Sequence, residues 1–225
     1  MITPNPAASQ DFSFEEFHTW SDIATIYNFS SDFRYDGDYG IRGLITDRNW
    51  TLIYLRPSVR YRVRPWISLH GGAALFYNFF KDTEDLPELR PWLGLRLLGP
   101  SLRGFVFSNY FRLEYRAFYL KGDGDWETVL RGRWQLQLKS PAFGIAAADD
   151  FYALTSIEPF EDIGSSVEDT FGDRFRFVFG IGKAVSRGLR MELDYLFHKI
   201  RVIEEDGRLD GDDHVVRLRL FYTFD

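Results

Sequence analysis

The sequence predicts an all-β protein, an up-and-down antiparallel β-barrel that crosses a membrane. Three observations predict it: apolar and charged residues alternate along many segments, aromatic residues make up 18% of the chain, and the mean hydropathy is mildly negative at −0.25. A membrane barrel produces this combination because alternate residues of each strand face lipid and the others face a polar interior.

The composition excludes several function classes. The chain has no cysteine, so disulfides and thiolate metal sites cannot form. Its net charge of −6 argues against nucleic acid as a partner. It contains no apolar run of about 18 residues, so no transmembrane helix is expected. We also expect no metal and no cofactor, since no phosphate-binding loop, dinucleotide fingerprint or paired-histidine metal motif occurs.

Alternation with a period of two recurs along the chain. In the segment 174–185, Phe175, Phe177 and Phe179 fall on one face, and Arg174 and Arg176 fall on the other. A soluble sheet also alternates, but arginine dominates the polar face here, outnumbering lysine 22 to 5. The predicted strands are also longer than the roughly 5–6 residues usual in globular sheets. These features favour a membrane barrel over a soluble sandwich or a lipocalin-like barrel.

Eleven segments show this strand pattern, yet a bacterial single-chain barrel is expected to have an even number of strands. We therefore predict ten strands, with twelve as the alternative. Residues 1–16 are expected to form an N-terminal extension, either disordered or inserted into the lumen, and residues 17–225 the barrel domain. The eleven segments lie near residues 17–29, 33–45, 50–63, 66–79, 88–98, 102–119, 127–139, 144–157, 173–185, 189–202 and 213–224.

The connections predict which end of the barrel faces the periplasm. Short turns are expected at 64–65, 99–101, 140–142 and 186–188, and longer acidic loops at 81–87, 121–126, 158–172 and 204–213. Outer-membrane barrels have short periplasmic turns and longer extracellular loops. Four tryptophans near strand ends are expected in the interfacial aromatic girdle: Trp50, Trp66, Trp92 and Trp126.

The strand phasing predicts a lumen lined by arginine. Few acids share that face, so most guanidinium groups are expected to lack a protein partner and to attract anions. An alternative is that arginine–carboxylate networks fill a closed interior. The predicted lumen arginines are Arg56, Arg60, Arg62, Arg90, Arg96, Arg112, Arg116, Arg131, Arg133, Arg174, Arg176, Arg190, Arg217 and Arg219. The predicted lumen acids are Glu114, Asp150, Glu192 and Asp194.

Two groups of residues are candidate catalytic sites. The run 212–214 could supply an Asp–His pair, with Asp149 and Asp150 as further carboxylates, but nothing in the spacing brings them together. Ser68 and His70 share a strand face, but neighbours two residues apart along a strand lie about 6.5–7 Å apart, which predicts no hydrogen bond. We therefore expect no enzyme activity.

Several short motifs resemble the bacterial outer-membrane barrel family catalogued as domain of unknown function 2490. They lie at 55–61, 88–92, 111–116, 130–133, 158–160 and 173–176, and in the aromatic closing strand. The resemblance spans roughly residues 17–224 and implies an outer-membrane location without an established activity. A looser similarity links the chain to small monomeric porins for acidic oligosaccharides. The chain departs from barrel sequences in its last residue, since Asp225 follows the aromatic Phe224.

These observations predict a protein of the Gram-negative outer membrane whose signal peptide has been replaced by the initial methionine. Its expected partners are membrane lipid and lipopolysaccharide, the barrel-assembly machinery acting on the C-terminal strand, and a small anionic solute. The expected function is a narrow pore for small or anionic solutes. The alternatives are a closed structural or interaction barrel and, third, a soluble β-sandwich or lipocalin-like binding protein.

Overall fold

The computed structural model describes residues 15–44, 50–81, 83–122, 124–145, 148–163, 173–200 and 212–224. Within this part of the chain, eleven long strands form one closed sheet, and one further short strand pairs with the first residues of a ring strand. The strands are β1 Glu15–Asn28, β2 Phe33–Leu44, β3 Trp50–Arg64, β4 Ile67–Phe80, β5 Leu86–Leu98, β6 Val106–Leu120, β7 Asp125–Lys139, β8 Phe143–Ile145, β9 Ala148–Ile163, β10 Asp173–Ser186, β11 Leu189–Ile200 and β12 Asp212–Phe224.

The barrel closes between its first and last strands, which run parallel. From β1 to β7 each strand pairs antiparallel with the next, β7 pairs with β9, and the order continues through β10 and β11 to β12. β12 then pairs with β1, from Glu15↔Asp212 to Tyr27↔Phe224. The all-β barrel is confirmed, but the predicted count of ten strands is wrong. Eleven strands can close a ring only if one pair is parallel, and the alternation along each strand does not indicate such a pair.

The strand directions define two ends of the barrel. At one end, here called the turn end, the connections include the two-residue turns 65–66 and 187–188; at the other, the loop end, they include 164–172 and 201–211. The contrast is smaller than expected, because the other connections at both ends span four to eight residues. At the turn end, Arg103 and Gly104 both have positive φ, 52° and 84°, which is the geometry of a tight hairpin turn.

The exterior of the barrel is apolar and its interior is charged. On β11, Met191, Leu193 and Tyr195 are exposed, whereas the intervening Glu192 and Asp194 are buried. This is the reverse of a soluble protein, in which charged residues are rarely fully buried. No helix among the described residues is long and apolar enough to span a membrane.

Apolar side chains also occupy part of the interior, in two buried clusters. One is formed by Trp20, Tyr152, Leu154, Val178, Leu196 and Val215, and the other by Trp50, Leu52, Tyr54, Ala74 and Phe76. The predicted aromatic girdle therefore needs correction. Trp66 and Trp126 are exposed, but Trp50 and Trp92 point inward and are buried, because each lies on the inward-facing register of its strand.

Candidate functional site: the charged lumen

A cavity of about 580 Å³ occupies the interior of the barrel. Its lining includes His18, Asn78 and Glu127 near the loop end, and Arg60 and Phe221 near the turn end. On β3 alone the lining extends from Trp50 to Arg60. At about 3.3 Å per residue and a tilt of roughly 40°, this stretch covers about 25 Å along the barrel axis. The cavity is therefore long and narrow.

Twelve of the predicted arginines line this cavity: Arg56, Arg60, Arg90, Arg96, Arg112, Arg116, Arg131, Arg133, Arg176, Arg190, Arg217 and Arg219. Arg62 does not, because it lies at the turn-end rim, half exposed, and pairs with Asp32 at 3.0 Å. The side chain of Arg174 falls outside the described part of the structure. Sequence reasoning missed Arg34, Arg42 and Lys139, which also line the cavity. The alternation of β2 and β7 could have identified all three.

The predicted acids were too few. Glu192 lines the cavity, and Glu114 and Asp194 are buried among lumen arginines. Asp150, in contrast, is absent from the lining and lies exposed at the start of β9 with φ of 70°. The seven inward acids that sequence reasoning missed are Asp22, Asp36, Asp38, Glu88, Glu127, Glu158 and Asp213. The expectation that most lumen arginines lack a protein partner is therefore wrong.

Glu114 on β6 lies at the centre of the largest charged cluster. It is 1% exposed, and Arg131 and Arg133 from β7 approach its carboxylate at 2.7 and 2.9 Å. Arg112 from β6 lies 2.6 Å away and Arg90 from β5 lies 3.6 Å away. One carboxylate therefore holds four guanidinium groups from three neighbouring strands.

Two further glutamates extend this cluster around the wall. Glu88 on β5 accepts hydrogen bonds from Arg90 at 2.6 and 2.7 Å and from Arg116 at 2.7 and 3.2 Å. Glu158 on β9 pairs with Arg133 at 2.7 Å and with Arg176 at 3.2 Å. Together the three glutamates and six arginines form what we call the glutamate network. Arginines outnumber carboxylates within it, so it carries a positive charge.

A second cluster spans the parallel seam between β12 and β1. The Tyr54 hydroxyl donates a hydrogen bond to Asp22 at 2.7 Å and lies 3.0 Å from an oxygen of Asp38. Asp38 also pairs with Arg56. From β12, Arg219 lies 3.7 Å from Asp22. The seam is thus bridged by side chains as well as by backbone pairing.

The same cluster continues onto β11. Arg219 lies 3.6 Å from Glu192, and Glu192 accepts a hydrogen bond from Tyr152 at 2.6 Å. Nearby, Asp194 pairs with Arg217 at 2.7 Å. Each carboxylate here has an arginine partner, so this cluster is close to neutral.

The charges of the lumen nevertheless leave a cationic surplus. Fifteen basic side chains line the cavity against eight acids, with Glu114 and Asp194 buried alongside. Among the described residues, Arg42, Arg60, Arg96 and Lys139 have no carboxylate within ion-pairing distance. Arg42 instead lies over the ring of Trp20, 3.8 Å from its centroid, and Lys139 lies 3.5 Å from that of Tyr152.

The structure places the candidate catalytic groups in separate parts of the barrel. Ser68 Oγ lies 3.0 Å from His70 Nε2, so the prediction of no hydrogen bond is wrong. The side chains lean together although their backbone positions lie further apart. His70 is the cross-strand partner of Arg60, and Arg96 lies opposite Ser68. Among the described residues, no carboxylate lies within hydrogen-bonding distance of His70 to orient its ring, as a Ser–His hydrolase requires.

The run 212–214 is divided between two faces of β12. Asp213 points inward and lies 3.6 Å from His18. His214 lies on the outer face, where its ring nitrogen is 2.5 Å from the Tyr195 hydroxyl and its ring stacks on Phe17. Asp149 and Asp150 lie at the opposite end of the barrel. Among the described residues, no group of three or more metal-binding side chains comes together.

Comparison with known proteins gives one family and a distant structural likeness. The model of the family described as protein of unknown function DUF2490 matches residues 17–208. Among solved structures, the NanC porin has a TM-score of 0.48 and 12% sequence identity, covering 90% of this chain and 99% of the porin chain. A search of curated proteins finds no match.

Proposed function

We propose that this chain, which belongs to the DUF2490 family of proteins of unknown function, forms a narrow anion-selective pore in the bacterial outer membrane. The family assignment rests on a match over residues 17–208 and carries no activity with it. The outer face of the barrel wall bears on membrane insertion, and the inner face bears on the pore.

The outer face supports insertion into lipid. Large apolar side chains are exposed along the middle of the strands; Leu93 on β5 is 70% exposed and Phe179 on β10 is 58% exposed. The strands of the ring are 12 to 16 residues long, and about 9–11 residues suffice to cross a bilayer at a tilt. A closed ring also leaves no unpaired strand edge in the lipid. A soluble β-protein would leave this apolar surface in water, so that alternative is disfavoured.

The observation that carries the pore proposal is the positively charged cavity, whose lining extends from near the loop end to near the turn end. Polar and charged side chains along its length allow water to enter, and the cationic surplus favours anions over cations. A volume of about 580 Å³ extended over roughly 25 Å makes the passage long and narrow. A passage of this shape suits small solutes.

The second candidate is a closed, non-conducting barrel, and a specific observation favours it. Glu114 and its four arginines form a buried cluster on three neighbouring strands, and Phe76, Trp92 and Phe118 are buried on the same inner wall. Fixed ion pairs and aromatic rings could together obstruct the passage. This candidate shares the membrane location and differs only in conductance.

Planar-bilayer recording separates the two candidates. The pore predicts discrete current steps and a reversal potential, in a potassium chloride gradient, that favours chloride. The double variant Arg42→Gln with Arg60→Gln removes two cations that have no acidic partner among the described residues, and it should weaken the chloride preference. Arg62→Gln at the exposed rim serves as the matched control and should leave it nearly unchanged. Absence of current from correctly folded protein would support the closed barrel.

A further inference from the structure

We propose that Arg34, Arg60 and Arg96, at the turn end of the lumen, form a binding site for a small solute that carries a divalent oxyanion group. Phosphate monoesters and dicarboxylates belong to this chemical class. The inference rests on the proposed function in one respect, that solutes enter the lumen from solution.

The three arginines belong to one patch of the inner wall. Arg34 on β2 is the cross-strand partner of Arg60 on β3, and Arg60 is in turn the partner of His70 on β4. Arg96 on β5 is the partner of Ser68, on the other side of β4. All three arginines and His70 line the cavity. The three guanidinium groups therefore lie at a similar height along the lumen.

Like charges placed directly opposite on neighbouring strands repel and destabilise a sheet. Arg34 lies directly opposite Arg60, and the acid beside them on β2 is Asp36. Asp36 is already engaged by Arg34 at 2.6 Å. Three guanidinium groups and one carboxylate leave a local charge of about two positive units, which one divalent anion neutralises.

Two of these guanidinium groups also have unused hydrogen-bond donors. Within the described residues, neither Arg60 nor Arg96 pairs with a carboxylate, and the buried Arg96 Nε has no hydrogen-bond partner. Arg90, Arg131 and Arg133 of the glutamate network, in contrast, direct donors at Glu88, Glu114 and Glu158. A guanidinium group presents a planar fork of donors that matches two oxygens of a carboxylate or phosphate.

Arg96 is held in place without using these donors. Its guanidinium group lies over the ring of Tyr110 on β6, 4.8 Å from the centroid. Gly94 makes room for that ring, since a Cβ atom at this position would lie 2.7 Å from the tyrosine. Ser68 and His70, hydrogen-bonded to each other at 3.0 Å, add polar groups beside the arginines. The site is therefore largely formed before a ligand arrives.

The test is isothermal titration of the full chain, folded in detergent micelles, with sodium sulfate in a sodium chloride buffer of constant ionic strength. Sulfate is a suitable probe because it is divalent throughout the usable pH range. We expect saturable binding of one sulfate per chain. Arg60→Gln and Arg96→Gln should each weaken that binding about tenfold or more, because each removes charge-assisted hydrogen bonds.

Arg42→Gln is the matched control, since it makes the same change of charge in the same lumen but toward the loop end. It should weaken sulfate binding less than about threefold. Arg60→Lys, which keeps the charge and loses the planar fork, should fall between wild type and Arg60→Gln. Absence of saturable binding by wild type, or an equal loss in Arg42→Gln, would overturn the site.

Competition experiments identify the class of solute. Displacement of sulfate by methyl phosphate points to phosphate esters, and displacement by succinate points to dicarboxylates; displacement by an equal amount of chloride would contradict a divalent site. The outcomes for site and pore are separable. Sulfate binding without bilayer current would support the site and reject the pore. Bilayer current without saturable sulfate binding would support the pore and reject the site.

Discussion

Arg219 on β12 and Asp22 on β1 face each other across the parallel seam of the barrel, with Nε 3.7 Å from Oδ2. Asp22 is 4% exposed and also accepts a hydrogen bond from the Tyr54 hydroxyl on β3. The seam is therefore linked by side chains to a strand two positions around the ring. Parallel pairing is slightly less stable per residue than antiparallel pairing, so these links stabilise the most vulnerable junction of the barrel.

Asp22→Asn should destabilise the barrel, because the amide carries no charge for Arg219 and is a weaker acceptor for Tyr54. We expect a loss of about 1–3 kcal/mol in the free energy of unfolding, measured by urea unfolding in detergent micelles. Asp32→Asn is the control, since it breaks an exposed arginine pair at the rim and should cost less than about 1 kcal/mol. Equal losses in the two variants would contradict a special role for the seam.

Glu114→Gln should destabilise the barrel more strongly, by about 3–5 kcal/mol, because four buried arginines lose their shared anion. Glu127→Gln makes the same change of charge at a cavity-lining acid that has no arginine within ion-pairing distance in the described structure, and should cost less than about 0.5 kcal/mol. Both variants should shift the reversal potential further toward chloride. A small effect of Glu114→Gln on unfolding would show that the glutamate network contributes little to stability.

Leu93→Arg tests the lipid-facing surface. A charge in the middle of the outer face should cost about 2–4 kcal/mol in a bilayer and prevent efficient folding into lipid vesicles. Leu102→Arg is the control, because Leu102 is similarly exposed, at 66%, but lies beside the turn-end hairpin turn. Heat-modifiable migration on gels measures the folded fraction. If both variants fold equally well, or if wild type folds without detergent or lipid, this surface does not face a membrane.

Gly180→Ala tests the tight packing between β10 and β11. A Cβ atom at Gly180 would lie 2.1 Å from Asp194 Oδ1, and Asp194 is held by two hydrogen bonds from Arg217. We expect a loss of about 1–3 kcal/mol from overpacking. Gly43→Ala is the control, since the nearest atom to its Cβ would lie 3.9 Å away. Thermal unfolding in detergent should give a lower midpoint for Gly180→Ala than for Gly43→Ala. Equal midpoints would contradict tight packing between Gly180 and Asp194.

Single cysteines test the orientation, since the natural chain has none. Glu84 lies at the loop end and Arg187 at the turn end, and both are exposed. In intact cells, a membrane-impermeant maleimide should label Glu84→Cys but not Arg187→Cys; after lysis it should label both. Labelling of Arg187→Cys alone in intact cells would reverse the proposed orientation, and labelling of neither would place the protein elsewhere.

The sequence by itself determined the wall of this barrel. Whether Phe177 or Arg176 faces inward depends only on which alternate residues are apolar, and this local, period-two signal is strong on β6, β7 and β10 to β12. Twelve predicted arginines accordingly line the cavity. The signal was weaker on the glycine-rich β2 and on β1, and so Asp22, Asp38 and Arg42 were missed.

The tertiary structure decided everything that depends on which strands become neighbours. The parallel seam between β1 and β12 joins residues about two hundred positions apart, and no local pattern specifies its direction or the resulting count of eleven. The same long-range register brings Glu114 to four arginines. It places Arg60 opposite Arg34, and Arg60 has no carboxylate partner among the described residues. Alternation fixes the face on which a charge lies, but its partners are fixed by the register and tilt of the closed sheet.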